Sequence, residues 1–196
     1  VILAALSSAI TWNLVTWYFG IPSSSSHTLI GSIAGAAVAS AGLDILNYEG
    51  FIKILQALIL SPILALVAGY IVMKIFKFIF QRSPLYSTTK AFRLTQIGTA
   101  ALQSFTHGTN DAQKAMGIIT MALIAANWQS TDEVQGWVRF ACALAMGLGT
   151  SIGGYKIIKT VGGKIMKIRP VNGAAADISS ASIIFGATVI ALPVST

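Results

Sequence analysis

Six long apolar stretches make up most of this chain. They cover residues 1–21, 29–43, 51–80, 94–126, 137–155 and 171–193. An α-helix needs about 20 apolar residues to cross the hydrocarbon layer of a membrane, and most of the stretches are long enough. Only 10% of the 196 residues are charged and 55% are hydrophobic, which excludes an ordinary soluble domain and a disordered chain. The sequence therefore predicts an all-α polytopic membrane protein.

Charged residues separate the apolar stretches in an alternating pattern. Of the 13 basic residues, five lie in or beside residues 81–93 and five in or beside residues 157–169. Four of the six acidic residues lie in residues 44–50 and 127–136. Because basic connectors stay in the cytoplasm, the first pair is predicted inside and the second pair outside, in a prokaryotic plasma membrane. Since the net charge of +7 flanks apolar spans, we expect no nucleic-acid partner.

The two ends of the chain resemble each other. Pro22 and Pro193 are each followed by hydroxyl residues, and on this offset Ser8 aligns with Ser179. According to the charge pattern, the two copies enter the membrane from opposite sides. Inverted repeats with interrupted segments at matching positions are typical of secondary transporters. We therefore expect an inverted-repeat secondary transporter with re-entrant helical hairpins or broken helices.

The first polar cluster in the apolar sequence covers residues 22–28. It contains Ser24, Ser25 and Ser26, followed by His27. Proline is favoured in the first turn of a helix, so Pro22 indicates that a helix starts here. The serines that follow it are predicted to cap this helix. A helix N-terminus with hydroxyl groups beside it is a binding site for anions. An ordinary contact between Ser or Thr side chains of neighbouring helices is the alternative.

The second polar cluster covers residues 107–114 and lies in the middle of an apolar stretch. An aspartate or a lysine inside a membrane is costly unless it is paired or faces a wet cavity, so Asp111 and Lys114 indicate function. Gly108 would let the chain open here, and Asn110 and Asp111 supply oxygen atoms that suit a small cation. A structural ion pair between Asp111 and Lys114, three residues apart on one helix face, is the alternative.

At these two clusters the sequence resembles the inorganic phosphate transporter (PiT) family. Residues 108–117 are similar to the second copy of the Gly-Ala-Asn-Asp-Val-Ala-Asn-Ala signature of that family. Residues 22–27 match its first Pro-x-Ser-Thr-Thr-His motif, with Ser25 and Ser26 where threonines are common. Residues 193–196 match the start of the second such motif. The first Asn-Asp signature would precede Val1, so we expect a partial chain.

The resemblance implies three segments. Residues 1–43 would end the first repeat with a Pro-Ser-rich hairpin. Residues 44–93 would form a transmembrane helix and a basic cytoplasmic connector. Residues 94–196 would form the second repeat, with the Asn-Asp signature and a truncated Pro-x-Ser-Thr hairpin.

The resemblance also implies a function, the symport of inorganic phosphate with sodium or protons. The phosphate would be bound by a set of amide and hydroxyl side chains, namely Asn110, Ser24, Ser25, Ser26, Ser195 and Thr196. The coupling cation would be held by Asp111 with Asn110 and Thr109, and Asp111 would be the metal ligand if the cation is sodium. No further cofactor is expected. The expected partners are phosphate, the cation and the lipid bilayer, and homodimer formation is left open.

Two other functions are compatible with the same residues. A carrier of a related oxyanion such as sulfate would need the same hydroxyl groups. An intramembrane serine hydrolase could use Ser26 with His27 or His107 and with Asp111. Adjacent Ser26 and His27 point in different directions on a helix, however, and no oxyanion-hole motif is present in the sequence. The sequence therefore favours a transporter, not an enzyme.

Overall fold

The computed structural model describes residues 1–165 and 167–189. Every regular element in these two ranges is helical, which confirms the all-α prediction. The α-helices are α1 (Ile2–Phe19), α2 (Ser25–Ala41), α3 (Tyr48–Phe80), α4 (Leu85–Ala125), α5 (Gly136–Thr160) and α6 (Pro170–Val189). A 3₁₀ turn at Leu43–Ile45 precedes α3, and a π-helical turn at Val161–Ile165 continues α5.

Three of the described helices are long and apolar enough to cross a membrane. They are Ile2–Phe19, Tyr48–Phe80 and Gly136–Gly163. Their outward faces carry large apolar side chains, and Leu66, Phe78 and Ile152 are each more than two-thirds exposed. Exposure of so large an apolar surface to water is unfavourable, whereas contact with lipid tails or with further helices is favourable. The helices thus have the composition of membrane spans.

Helices α1 and α2 form a tight antiparallel hairpin. Helix α1 ends at Gly20, whose φ of 68° lies in the left-handed region that favours glycine. Helix α2 begins after Ser24, whose hydroxyl accepts a hydrogen bond of 3.3 Å from the backbone N–H of His27. Near the middle of the hairpin, the hydroxyl of Ser32 lies 3.5 Å from that of Ser8. The predicted serine cap is confirmed, whereas the assignment of residues 1–43 to the end of a first repeat stays a prediction.

The closed end of this hairpin lies beside the C-terminal part of α5. The indole N–H of Trp17 donates a hydrogen bond of 2.9 Å to the carbonyl oxygen of Gly153. The ammonium group of Lys156 lies 4.2 Å from the centroid of the Trp17 ring, a cation–π distance. This end of α5 carries the basic residues that predict a cytoplasmic location. The hairpin therefore points towards the predicted cytoplasmic side, in agreement with its predicted entry from outside.

Helix α4 is continuous over 41 residues, about 60 Å at the usual helical rise. Gly108 lies inside it, so the predicted opening of the chain at that glycine was wrong. A glycine costs a helix interior only about 1 kcal/mol, which the surrounding contacts can offset. The predicted boundary between residues 44–93 and 94–196 also falls within α4, and Lys90 and Arg93 belong to this helix rather than to a loop.

Helix α6 packs closely against both α3 and α4. Apart from Ile184, the buried residues of its contact face are small, and Ala174 and Ala175 are almost completely buried. Gly173 lies against the amide group of Gln96 on α4, where a larger residue would displace that amide. Small residues let helix backbones approach each other, which is the usual way in which membrane helices pack.

Labelling of single cysteines should confirm the predicted sidedness. In a background with Cys142→Ala, which removes the chain's one cysteine, Ser83→Cys should react with an impermeant thiol reagent only from the cytoplasm. Thr131→Cys should react only from outside. Both positions are exposed, so the reagent can reach them. Labelling of the two variants from the same side of intact cells and of inverted vesicles would contradict the alternating topology.

Candidate functional site

The start of α2 meets the middle of α4, so the two polar clusters of the sequence form one site. The hydroxyl of Ser25 donates a hydrogen bond of 3.1 Å to Oδ2 of Asp111, although the two residues are 86 positions apart in the sequence. The ammonium of Lys114 donates one of 2.5 Å to the hydroxyl of Ser26. Ser26 is only 1% exposed. The structure thereby joins the residues that were predicted from two separate motifs.

Asp111 and Lys114 form an ion pair within this site. The Nζ atom of Lys114 lies 2.7 Å from Oδ1 of Asp111, and the two side chains are 15% and 9% exposed. The structural alternative from the sequence is therefore confirmed, and the carboxylate has a protein cation beside it. A buried carboxylate and a buried ammonium are each costly alone, and pairing removes most of that cost.

The N-terminus of α2 adds a positive electrostatic potential to the site. Backbone N–H groups at the start of a helix point outward and carry the positive end of the helix dipole. Ser24 caps this helix, and its hydroxyl also lies 2.7 Å from Nδ1 of His27. Hydroxyl groups, helix N–H groups and the Lys114 ammonium thus converge on one region, a combination that suits an oxyanion.

Asn110 connects the site to the end of α6. Its side-chain Nδ2 donates a hydrogen bond of 3.1 Å to the hydroxyl of Thr188. Asn110 is 3% exposed, and its Oδ1 atom is buried without a hydrogen-bond partner among the residues that the structure describes. Thr188 lies in the last turn of α6, next to the end of the described residues. Ser195 and Thr196 themselves lie outside the described residues and stay predictions.

Thr109 faces a different side of α4 from Asp111. Its hydroxyl bonds to the carbonyl oxygen of Thr106, and its side chain lines a cavity of about 590 Å³ between α4 and α5. The structure does not bring it to Asp111. His107 lines the same cavity, and its Nε2 atom lies 3.8 Å from Oδ2 of Asp111. His107 therefore lies between this cavity and the Asp111 carboxylate.

A second cavity, of about 460 Å³, lies inside the α1–α2 hairpin. Ser23, Ser24 and His27 line it together with Trp12. The site is thus flanked by two openings, one on the hairpin side and one between α4 and α5. Among residues 1–165 and 167–189, no group of three His, Cys, Asp or Glu side chains could hold a metal ion.

Several polar contacts between helices were not predicted from the sequence, and two of them involve α6. Thr188 binds Asn110, and Thr99 donates a hydrogen bond of 2.9 Å to Oδ2 of Asp177. Asp177 was visible in the sequence as an acidic residue in an apolar stretch. The partner in each case comes from another helix, and neither partner belongs to a recognisable motif.

The comparisons with known proteins decide the family. Residues 1–196 match the phosphate transporter family (PHO4) over the whole chain. The chain belongs to this family. It is 71% identical, over all of its length, to a "probable low-affinity inorganic phosphate transporter" of Bacillus subtilis (strain 168) and 42% identical to a protein of the same description in Rhizobium meliloti (strain 1021). In both cases it spans 59% of the relative's length.

A solved structure has the same fold. It is described as "The sodium-dependent phosphate transporter", and the superposition has a TM-score of 0.83 at 22% identity. The match covers 99% of this chain and 66% of the other. At this identity the likeness shows the fold alone.

Membership of this family has three direct consequences. The resemblance to phosphate transporters is confirmed, and so is the prediction of a partial chain. The family and the homologues are transporters, which rules out the hydrolase alternative. The apolar helices and the bacterial homologues make the protein an integral protein of the plasma membrane.

Proposed function

We propose that the protein containing this chain carries inorganic phosphate across the plasma membrane together with a cation, either sodium or a proton. The observation that carries this proposal is the contact of Ser25 and Ser26 at the start of α2 with Asp111 and Lys114 of α4. Family membership and the names of the relatives agree with phosphate as the substrate.

Phosphate would bind between the start of α2 and α4. Ser24, Ser25 and Ser26 offer hydroxyl groups, and the helix dipole and Lys114 offer positive potential. Asn110 would contribute its amide, because amide groups can bind both oxygen atoms and hydroxyl groups of a phosphate. Ser195 and Thr196, which lie outside the described residues, would be further phosphate ligands.

The cation would bind at Asp111 beside Asn110, whereas Thr109, which lines the cavity between α4 and α5, would not be a ligand in this arrangement. Coupling follows if each ligand improves the binding of the other, because an anion and a cation at neighbouring positions attract each other. Sodium and a proton are both candidates for this cation. A homodimer in the bilayer remains a prediction for the intact protein.

The proposal is tested by phosphate uptake into vesicles that contain the full-length transporter. Ser25→Ala should weaken phosphate binding roughly 2- to 10-fold, about 0.5–1.5 kcal/mol, because the hydroxyl groups of Ser24 and Ser26 can partly replace the lost one. Ser40→Ala is the matched control, since Ser40 is exposed and its hydroxyl donates a hydrogen bond to the carbonyl oxygen of Ala37 in its own helix.

Sulfate serves as the competitor in the same assay. A large excess of sulfate should leave phosphate uptake nearly unchanged. Equal inhibition by sulfate and by unlabelled phosphate would favour the carrier of a related oxyanion instead. If Ser25→Ala and Ser40→Ala have the same small effect, the start of α2 is not the phosphate site.

A further inference from the structure

We infer that Lys114 is the built-in cation of this site, so that phosphate binding beside Asp111 requires no sodium. The inference rests on the proposed function and specifies its coupling site. In the Gly-Ala-Asn-Asp-Val-Ala-Asn-Ala signature, the position of Lys114 is an asparagine. This chain therefore places an ammonium group where the signature has a neutral amide.

The ammonium occupies the place that a sodium ion would take. Its Nζ atom lies 2.7 Å from Oδ1 of Asp111 and 2.5 Å from the hydroxyl oxygen of Ser26. These two oxygen atoms come from α4 and α2, so the ammonium links the same two elements that a bound cation would link. Carboxylate and hydroxyl oxygens are also the ligands that hard cations prefer.

A sodium ion cannot readily displace this ammonium. Lys114 lies three residues after Asp111 on the same helix, and such a tethered group has an effective concentration far above that of a dissolved ion. Displacement would also leave an ammonium that is 15% exposed without its carboxylate, which is costly. The pair is therefore the stable occupant of the site with or without sodium in solution.

The same ammonium can serve the phosphate. Ser26 lies in the first turn of α2, so its contact with Lys114 places an ammonium group, paired with the Asp111 carboxylate, at the helix N-terminus. Charge-assisted hydrogen bonds to a phosphate are about twice as strong as neutral ones. A carrier with a fixed ammonium at this place needs no sodium ion to balance the phosphate.

The test measures phosphate uptake by vesicles with the full-length transporter, in sodium chloride and in choline chloride at equal ionic strength. The wild-type rates should agree within about twofold. Lys114→Asn should lose roughly 10- to 150-fold in choline, the range for one charge-assisted hydrogen bond, and sodium should restore part of the uptake. Lys114→Met, which offers no oxygen ligand, should lose uptake in both media.

Lys53→Asn is the matched control. Lys53 forms an ion pair of 2.6 Å with Glu49 on α3, but both side chains are more than two-thirds exposed. This variant should transport like the wild type in both media. If only the Lys114 variants lose uptake, the loss is due to the ion pair at the site and not to the removal of any paired lysine.

Each outcome separates the inference from the proposed function. Wild-type uptake that requires sodium would overturn the inference and leave phosphate transport in place. If the folded wild type takes up no phosphate in sodium chloride and none in choline chloride, the proposed function is contradicted. If the Lys114 variants do not fold, the midpoint of thermal unfolding of the wild type, measured in sodium chloride and in choline chloride, tests whether sodium binds at the site. Equal midpoints in sodium and choline are expected, and a stabilisation specific to sodium would overturn the inference.

Discussion

Asp111→Asn should destabilise the transporter by about 3–5 kcal/mol, the cost of removing one partner from a buried ion pair. The substitution leaves the Lys114 ammonium among apolar helices without its carboxylate, and it also removes the acceptor of the Ser25 hydroxyl. Thermal unfolding of the detergent-purified protein measures the loss. Phosphate uptake should fall with the folded fraction and further because the site is disrupted.

A second substitution identifies the cause. Lys114→Met in the Asp111→Asn background removes the unpaired charge, so the double variant should regain most of the lost thermal stability while transport stays low. Glu49→Gln breaks the exposed Lys53–Glu49 pair and should cost less than about 1 kcal/mol. An Asp111→Asn variant that unfolds at the wild-type temperature and transports normally would contradict the role of the pair.

Ala174→Leu should destabilise the protein by about 1–3 kcal/mol, because a larger side chain has to enter a closely packed helix interface. Ala174 is 0% exposed on the face of α6 that packs against its neighbouring helices. Membrane helices associate through such small residues, and a leucine would push the backbones apart. The midpoint of thermal unfolding in detergent measures this effect.

Ala176→Leu is the control for this packing prediction. Ala176 lies two residues further along the same helix and is exposed, so its replacement should leave the unfolding midpoint nearly unchanged. Equal effects of the two substitutions would mean that α6 is not held by the small-residue face. Because Asn110 binds Thr188 on α6, Ala174→Leu should also lower phosphate uptake.

The features that the sequence predicted well depend on residues that are close together in the chain. Ser24 caps α2 because the accepting hydroxyl and the donating N–H of His27 are three residues apart. The Asp111–Lys114 pair was recognisable for the same reason, since residues three apart lie on one helix face. The membrane class followed from composition, which is independent of any contact.

The features that the sequence did not predict depend on tertiary contacts. Gly108 suggested an opening, yet α4 stays regular there, because one glycine costs a helix interior only about 1 kcal/mol. The bond between Asn110 and Thr188 joins two helices 78 positions apart, and no spacing rule indicates it. The orientation of Thr109 towards α5 depends on which face of α4 meets the hairpin. Residue spacing in a single sequence does not indicate which faces of two distant helices meet.

The continuity of α4 determines which part of the site can move. Because a regular helix uses its internal backbone N–H groups within itself, α4 offers only side chains to a ligand, and the backbone donors come from the start of α2. A slide of the hairpin by one helical turn, about 5.4 Å, would separate the two sets of groups. That slide would break the hydrogen bonds of Ser25 with Asp111 and of Lys114 with Ser26, and also the bond of Trp17 with Gly153 at the closed end of the hairpin. Helix α4 is thus a fixed frame, and motion of the hairpin along it can assemble the site or take it apart.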